Sequence, residues 1–167
     1  MELSLDRINR AEEADAEAMF RDCCGSTRWA RLMTLARPFG SEIELTYTAS
    51  AIWRDLRDAD WLEAFSAHPK IGETRSAETR SADWSAGEQS GMDSADELVK
   101  QQLADANREY YDKFGFIFIV CATGKSADEM LRICRTRLAN GPETEIHNAA
   151  REQQEITEIR LRKLLAL

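Results

Sequence analysis

The chain carries two histidines in 167 residues, and one of them, His68, stands directly before a proline in "FSAHPKIGE". Proline disfavours the α region for the residue that precedes it. A helix running through "DADWLEAFSA" is therefore expected to stop at about Ala67, leaving His68 extended at its C-terminal end. The partial negative charge of a helix C-terminus favours the protonated ring. A fixed imidazole that titrates near neutrality suits general acid–base work. The plainer alternative is a partly exposed histidine that only caps the helix. The other histidine, His147, falls in the polar start of the last helical stretch and reads as a surface residue.

Ser85, Glu88 and Gln89, in "DWSAGEQSG", are spaced i, i+3 and i+4. On a helix they face one way and present a hydroxyl, a carboxylate and an amide together. Such a set can orient a small polar ligand, and Glu88 can pair with His68; the alternative is a solvated helix face. Arg160 shares a four-residue spacing with Ile156 and Leu164 in "EITEIRLRKLLAL", with Ile159 alongside. One guanidinium thus sits in an apolar stripe, where arginines are rare unless paired. Its fork suits a carboxylate, although a structural ion pair or a snorkelling side chain fits the spacing as well. Arg162 falls on a more polar face and reads as surface. The four cysteines, Cys23, Cys24, Cys121 and Cys134, show no metal-ligand spacing and read as buried or incidental thiols. "ATGKS" resembles the tail of a phosphate loop but lacks the first glycine of that motif.

Helices must position these groups. Three prolines and eight glycines leave long runs rich in Ala, Glu, Leu, Arg and Gln, so the expected class is all-α, a single-domain bundle of eight or nine helices. Periodicity and caps place helices at about Glu12–Asp22, Thr27–Ala36, Ser41–Arg57, Asp58–Ala67, Ser94–Lys113, Ser126–Ala139 and Glu143–Leu165. Ser4 is read as the cap of a short first helix, and Ser81 or Asp83 as the cap of another ending near Ser90. Trp61, Leu62 and Phe65 are expected on one inward face. Leu98, Leu103 and either Tyr110 or Tyr111 are expected on another. "FGFIFIVCATGKS" breaks the helical rhythm and alone would be read as a buried strand. With no second strand to pair with, it is expected to be an extended segment whose spare N–H groups bond another loop or a ligand.

The net charge of −8, with no dense basic cluster, argues against nucleic acid and against an anionic membrane surface. The longest apolar stretch, Phe116 to Ala122, is too short to span a bilayer. The acidic N-terminal stretch is no secretory signal, "LLAL" is no address tag, and scattered cysteines fit a reducing cytosol, so a cytoplasmic location is expected.

Four stretches in order, "AHPKIGE", "WSAGEQSGM", "NREYYDKFGFIFIVCATGKS" and "EITEIRLRKLL", resemble the 2-oxo-4-hydroxy-4-carboxy-5-ureidoimidazoline (OHCU) decarboxylases of urate breakdown. The resemblance spans nearly the whole chain, and residues 1–167 are read as one decarboxylase domain. It implies an all-helical fold, a homodimer, no cofactor and no metal, and conversion of OHCU to (S)-allantoin with loss of CO2. It places the catalytic histidine on His68, its partner carboxylate on Glu88 and the family's arginine on Arg160. Pro69, the stretch Ser85, Ala86, Gly87, Glu88 and Gln89, and the stretch Phe118, Ile119, Val120, Cys121 and Ala122 match its substrate-contacting segments. "HPKIGE" matches the bacterial and plant form of the turn. A chain of this length leaves no room for the hydrolase domain fused to some relatives, so the decarboxylase step alone is expected. A non-enzymatic acidic helical adaptor, a ureide-binding protein without turnover and a ureide hydrolase are the competing readings.

Overall fold

A computed structural model describes residues 2–69, 84, 87, 88, 90–93 and 95–167. Among these residues are eight α-helices: α1 (Glu2–Arg10), α2 (Glu13–Cys23), α3 (Thr27–Leu35), α4 (Glu42–Arg54), α5 (Asp58–Ser66), α6 (Glu97–Phe114), α7 (Ala127–Arg137) and α8 (Pro142–Leu165). A 3-10 turn covers Ser90–Met92, and no described residue is in a strand. The protein is all-α. No described helix is long and apolar enough to cross a membrane.

Serines start three of the helices by accepting an otherwise unpaired amide. Ser26 takes the Trp29 N–H at 3.2 Å, Ser41 takes the Glu44 N–H at 3.1 Å, and Ser126 takes the Glu129 N–H at 3.2 Å. Glu129 returns the favour by accepting the Ser126 N–H at 2.9 Å, which completes a capping box. Two expected starts differ. Helix α1 already runs from Glu2, so Ser4 lies inside it. Helix α6 is capped by Asp96, whose carboxylate accepts the Leu98 N–H at 3.1 Å, rather than starting near Ser94.

Backbone proximity divides the chain into two compact units. One comprises Met1–Ala64 with Gln154–Leu167, the other Phe65–Gln153. The first unit holds α1 to α4, most of α5 and the end of α8. Its core contains Phe20, Trp29, Met33, Leu45, Leu161 and Leu164, all fully buried. Phe20 meets Trp29 edge to face at 6.0 Å. The indole N–H groups find acceptors, Trp29 on the Ala49 carbonyl at 3.1 Å and Trp61 on the Trp53 carbonyl at 3.0 Å.

The second unit is built on α6 and α7, with Phe65 and the first part of α8. Its core holds Leu103, Tyr110, Met130, Cys134 and Ala149. Tyr110, rather than Tyr111, turns inward, whereas Leu98 is 63% exposed. Leu98 sits in the first turn, ahead of the stripe formed by Leu103, Ala106 and Tyr110. On α5, Trp61, Ala64 and Phe65 are buried and Leu62 points outward. Gly115 ends α6 in the left-handed region at φ +78°, and its N–H donates to the Tyr111 carbonyl at 2.8 Å. The chain then runs through Phe116–Ala122 without helix or strand, as expected, and Phe118 to Ala122 are all buried.

Candidate active site

His68 lies in a bend after α5, which ends at Ser66. Its N–H still donates to the Phe65 carbonyl at 3.1 Å, closing the last turn, and Pro69 follows. The ring is half-buried, and its Nε2 lies 2.5 Å from Oε1 of Gln153, a fully buried residue of α8. Sequence reasoning did not single out Gln153, which belongs to a polar run 85 positions away.

Gly87 and Glu88 are helical; Glu88 is buried and Gly87 exposed. The other members of that predicted face, Ser85, Ala86 and Gln89, lie outside the described residues. Just beyond, the 3-10 turn is pressed against the loop before α7. A Cβ built on Gly91 would come 2.2 Å from the Lys125 carbonyl oxygen, so only glycine fits there. Two of the motifs read from the sequence therefore touch, "GEQSGM" through Gly91 and "ATGKS" through Lys125.

The "ATGKS" stretch is a turn rather than a phosphate loop. The Ala122 carbonyl accepts the Lys125 N–H at 3.0 Å, and Gly124 takes φ +77° at the third position, where a left-handed residue is required. Lys125 Nζ donates to the Cys121 carbonyl at 2.7 Å. The Cys121 N–H donates to the Glu152 carboxylate at 2.8 Å. Among the described residues, the N–H groups of Phe118, Ile119, Val120 and Ala122 have no acceptor. A buried run of unsatisfied donors is costly unless something else completes it.

What fixes that run is a charged cluster that sequence reasoning missed. Arg137, on α7, donates from Nη1 to the Ile119 carbonyl at 2.6 Å, from Nε to Glu145 at 2.8 Å and from Nη2 to the Tyr110 hydroxyl at 3.2 Å. Its guanidinium also lies 4.9 Å from the centre of the Phe118 ring. Glu145 is fully buried and accepts from Tyr110 at 2.5 Å, Asn140 at 2.8 Å and Asn148 at 2.9 Å as well. Burial alone pushes the Glu145 carboxyl up. The hydrogen bonds from Asn140, Tyr110 and Asn148, with the charge of Arg137, outweigh it and hold the group below its ordinary value. Tyr110 is pushed well above the usual phenol, first by burial and then by the neighbouring carboxylate. A signal was present: Met130, Cys134 and Arg137 form an i, i+4, i+7 stripe, so Arg137, like Arg160, lies in line with an apolar helix face.

Arg160 is 4% exposed and lies between the buried Ile156 and Leu164, as its spacing predicted. It belongs to the first unit, where Nη1 reaches the Asp22 carbonyl at 3.5 Å and its charge acts on the Cys24 thiol. Burial pushes Cys24 up to about 11 against the opposing pull of Ser26, Thr157 and Arg160. Burial likewise raises Cys134 to about 12. All four cysteines are buried thiols. Arg162 and His147 are exposed, as expected. His68, Glu88 and Phe118–Ala122 belong to the second unit. A cleft of about 560 Å³ in the same unit is lined by Thr123, Lys125, Arg132 and Arg137 among others, and by none of the predicted catalytic groups.

A helical protein that places an imidazole, a buried carboxylate and four peptide N–H groups without an acceptor among the described residues in one unit has the makings of an acid–base site. Comparison with known proteins gives it a family. The OHCU decarboxylase family matches residues 9–162, and the chain belongs to it. It is 45% identical over 154 residues to the uric acid degradation bifunctional protein TTL of Arabidopsis thaliana. That match covers 90% of this chain but 47% of the relative, so the chain spans about half the length of that plant protein. The 2-oxo-4-hydroxy-4-carboxy-5-ureidoimidazoline decarboxylase of Haloferax volcanii is 29% identical, with 96% of this chain and 95% of the relative aligned. Among solved structures, a crystal structure of an OHCU decarboxylase in the presence of (S)-allantoin superposes with TM-score 0.79 at 40% identity, covering 94% of this chain and 100% of that one. An (S)-allantoin synthase structure shares the fold, with TM-score 0.70 at 17% identity over 96% of this chain and 53% of that one.

Proposed function

We propose that this protein decarboxylates OHCU to (S)-allantoin, with His68, Glu88 and Arg160 as the catalytic side chains. The observation that carries the reading is the family match across residues 9–162, with all three groups present at the motif positions. The reaction needs no electron sink from outside. The bond to the carboxylate breaks and releases CO2. Its electron pair passes into the C=N bond of the ring. The ring hydroxyl loses its proton and becomes a carbonyl, while protons are added to the ureido-bearing carbon and the ring nitrogen. One proton is consumed overall.

His68 takes the hydroxyl proton, steadied by Glu88, and Arg160 holds a substrate carboxylate or carbonyl. The N–H groups of Phe118, Ile119, Val120 and Ala122 are the donors offered to the ring or ureido oxygens; fixed donors placed where charge develops are worth about 3–4 kcal/mol each. Pro69 holds His68 out of the helix, and Ser85, Ala86, Gly87 and Gln89 complete the contacts around Glu88. Proton delivery to one face of the planar intermediate sets the S configuration. The reading carries with it a homodimer working in the cytoplasm, without nucleic acid or membrane as partner.

The test uses OHCU made freshly from urate by enzymes, with circular dichroism following the appearance of optically active allantoin. The wild-type protein is expected to produce the signal well ahead of the slow racemic background. His68→Asn should keep its fold, judged by far-ultraviolet dichroism, and lose most of the rate. A wild-type rate equal to background rejects the function, and an active His68→Asn rejects the role of the histidine.

A further inference from the structure

Gln153 has no place in the roles assigned above, yet it makes a 2.5 Å contact with the catalytic imidazole. It projects from the middle of α8, fully buried, in register with the buried Ala149 and Ile156. Ordering a long polar side chain at such a site costs entropy, and burying its amide costs more unless it is hydrogen-bonded. Its Oε1 faces Nε2 of His68. An amide oxygen can only accept, so Nε2 must carry the hydrogen. In a neutral imidazole the basic lone pair then sits on Nδ1.

We propose that Gln153 is a positioning residue that holds His68 as the Nε2–H tautomer, so that Nδ1 is the nitrogen through which the ring exchanges its proton with substrate. The inference rests on the catalytic role given to His68 above. A neutral amide suits the task. It fixes the ring's rotation and tautomer without adding a further negative charge beside the ring. The next residue along α8, Glu152, holds the Cys121 N–H at 2.8 Å. Consecutive residues of one helix thus brace the imidazole and the Phe118–Ala122 segment.

The tautomer can be read without substrate. In protein labelled with 15N-histidine there are two rings to observe, and a His147→Gln variant identifies the signals of His68. Above the titration of the ring, the wild-type protein is expected to show a protonated Nε2 and an unprotonated Nδ1. Gln153→Met, similar in volume and without an acceptor, should mix the tautomers and lower kcat roughly 10- to 100-fold, by analogy with the loss of a group that orients a metal-bound histidine, with KM little changed. Gln153→Glu restores an acceptor and should restore the Nε2–H tautomer. A wild-type Nδ1–H tautomer overturns the proposal, as does a Gln153→Met protein with unaltered tautomer and kcat. A wild-type protein inactive on OHCU but showing the Nε2–H form would reject the proposed function and leave the positioning role standing.

Discussion

Replacing Arg137 with methionine tests the charged cluster beneath the amide segment. The substitution keeps much of the side-chain length and removes three hydrogen bonds, to Glu145, to the Ile119 carbonyl and to the Tyr110 hydroxyl. It leaves a carboxylate with no exposed surface. Breaking a buried pair by deleting one partner costs about 3–5 kcal/mol. Asn140, Asn148 and Tyr110 still donate to Glu145, which puts the expected loss toward the lower end. For a chain of this size that corresponds to a fall in Tm of roughly 6–20 °C, at about 2–4 °C per kcal/mol. Urea unfolding followed by dichroism at neutral pH supplies the free energy. Glu145 titrates below its ordinary value, so its contribution to wild-type stability is present above the unfolded-state value of 4.5 and is lost as pH falls through the lower folded one. The gap between wild type and Arg137→Met should accordingly narrow as pH drops below 4.5. The double variant Arg137→Met/Glu145→Met should recover part of the loss, because the stranded charge goes with its partner. A single-variant loss under about 1 kcal/mol, or a gap that stays constant through the acid range, would refute the reasoning, since it would equate this pair with an exposed one.

Two further outcomes follow from close packing and burial. Gly91→Ala should cost about 1–3 kcal/mol, because its methyl meets the Lys125 carbonyl oxygen 2.2 Å away and backbone must shift; a thermal melt unchanged from wild type contradicts the contact. The buried thiols should be silent to a disulfide reagent at pH 8 in the native protein. At about 11, Cys24 holds only about 0.1% thiolate there, and all four cysteines should react once urea unfolds the chain. Rapid reaction of Cys24 or Cys134 in native protein would contradict their burial.

Much of the helical frame was legible because caps are local. Ser26, Ser41 and Ser126 each sit next to the helix they start, and a short polar side chain before an apolar-periodic run says so directly. Which face turns inward was less legible. Leu62 and Leu98 have the hydrophobicity of core residues, but their exposure depends on neighbours that no window of sequence contains. The site divides the same way. Arg160 announced itself by interrupting an apolar stripe, and Arg137 carried the same mark without being noticed. The meeting of His68 with Gln153 carried none: glutamine is ordinary in a polar helix, and the contact joins positions 85 apart. The amides of Phe118, Ile119, Val120 and Ala122, without an acceptor among the described residues, were foreseen only as a gap in the hydrogen-bond accounting, an apolar run without a strand to pair with.

That stretch has a consequence for how the protein tolerates change. A ledge of peptide N–H groups offers the same donors whichever side chains hang from it. If these amides bind substrate as proposed, apolar replacements of matching size at Ile119 or Val120 leave that chemistry untouched, whereas an imino acid there deletes a donor outright. On that proposal, drift in the identity of these residues is no guide to loss of function; a proline among them would be.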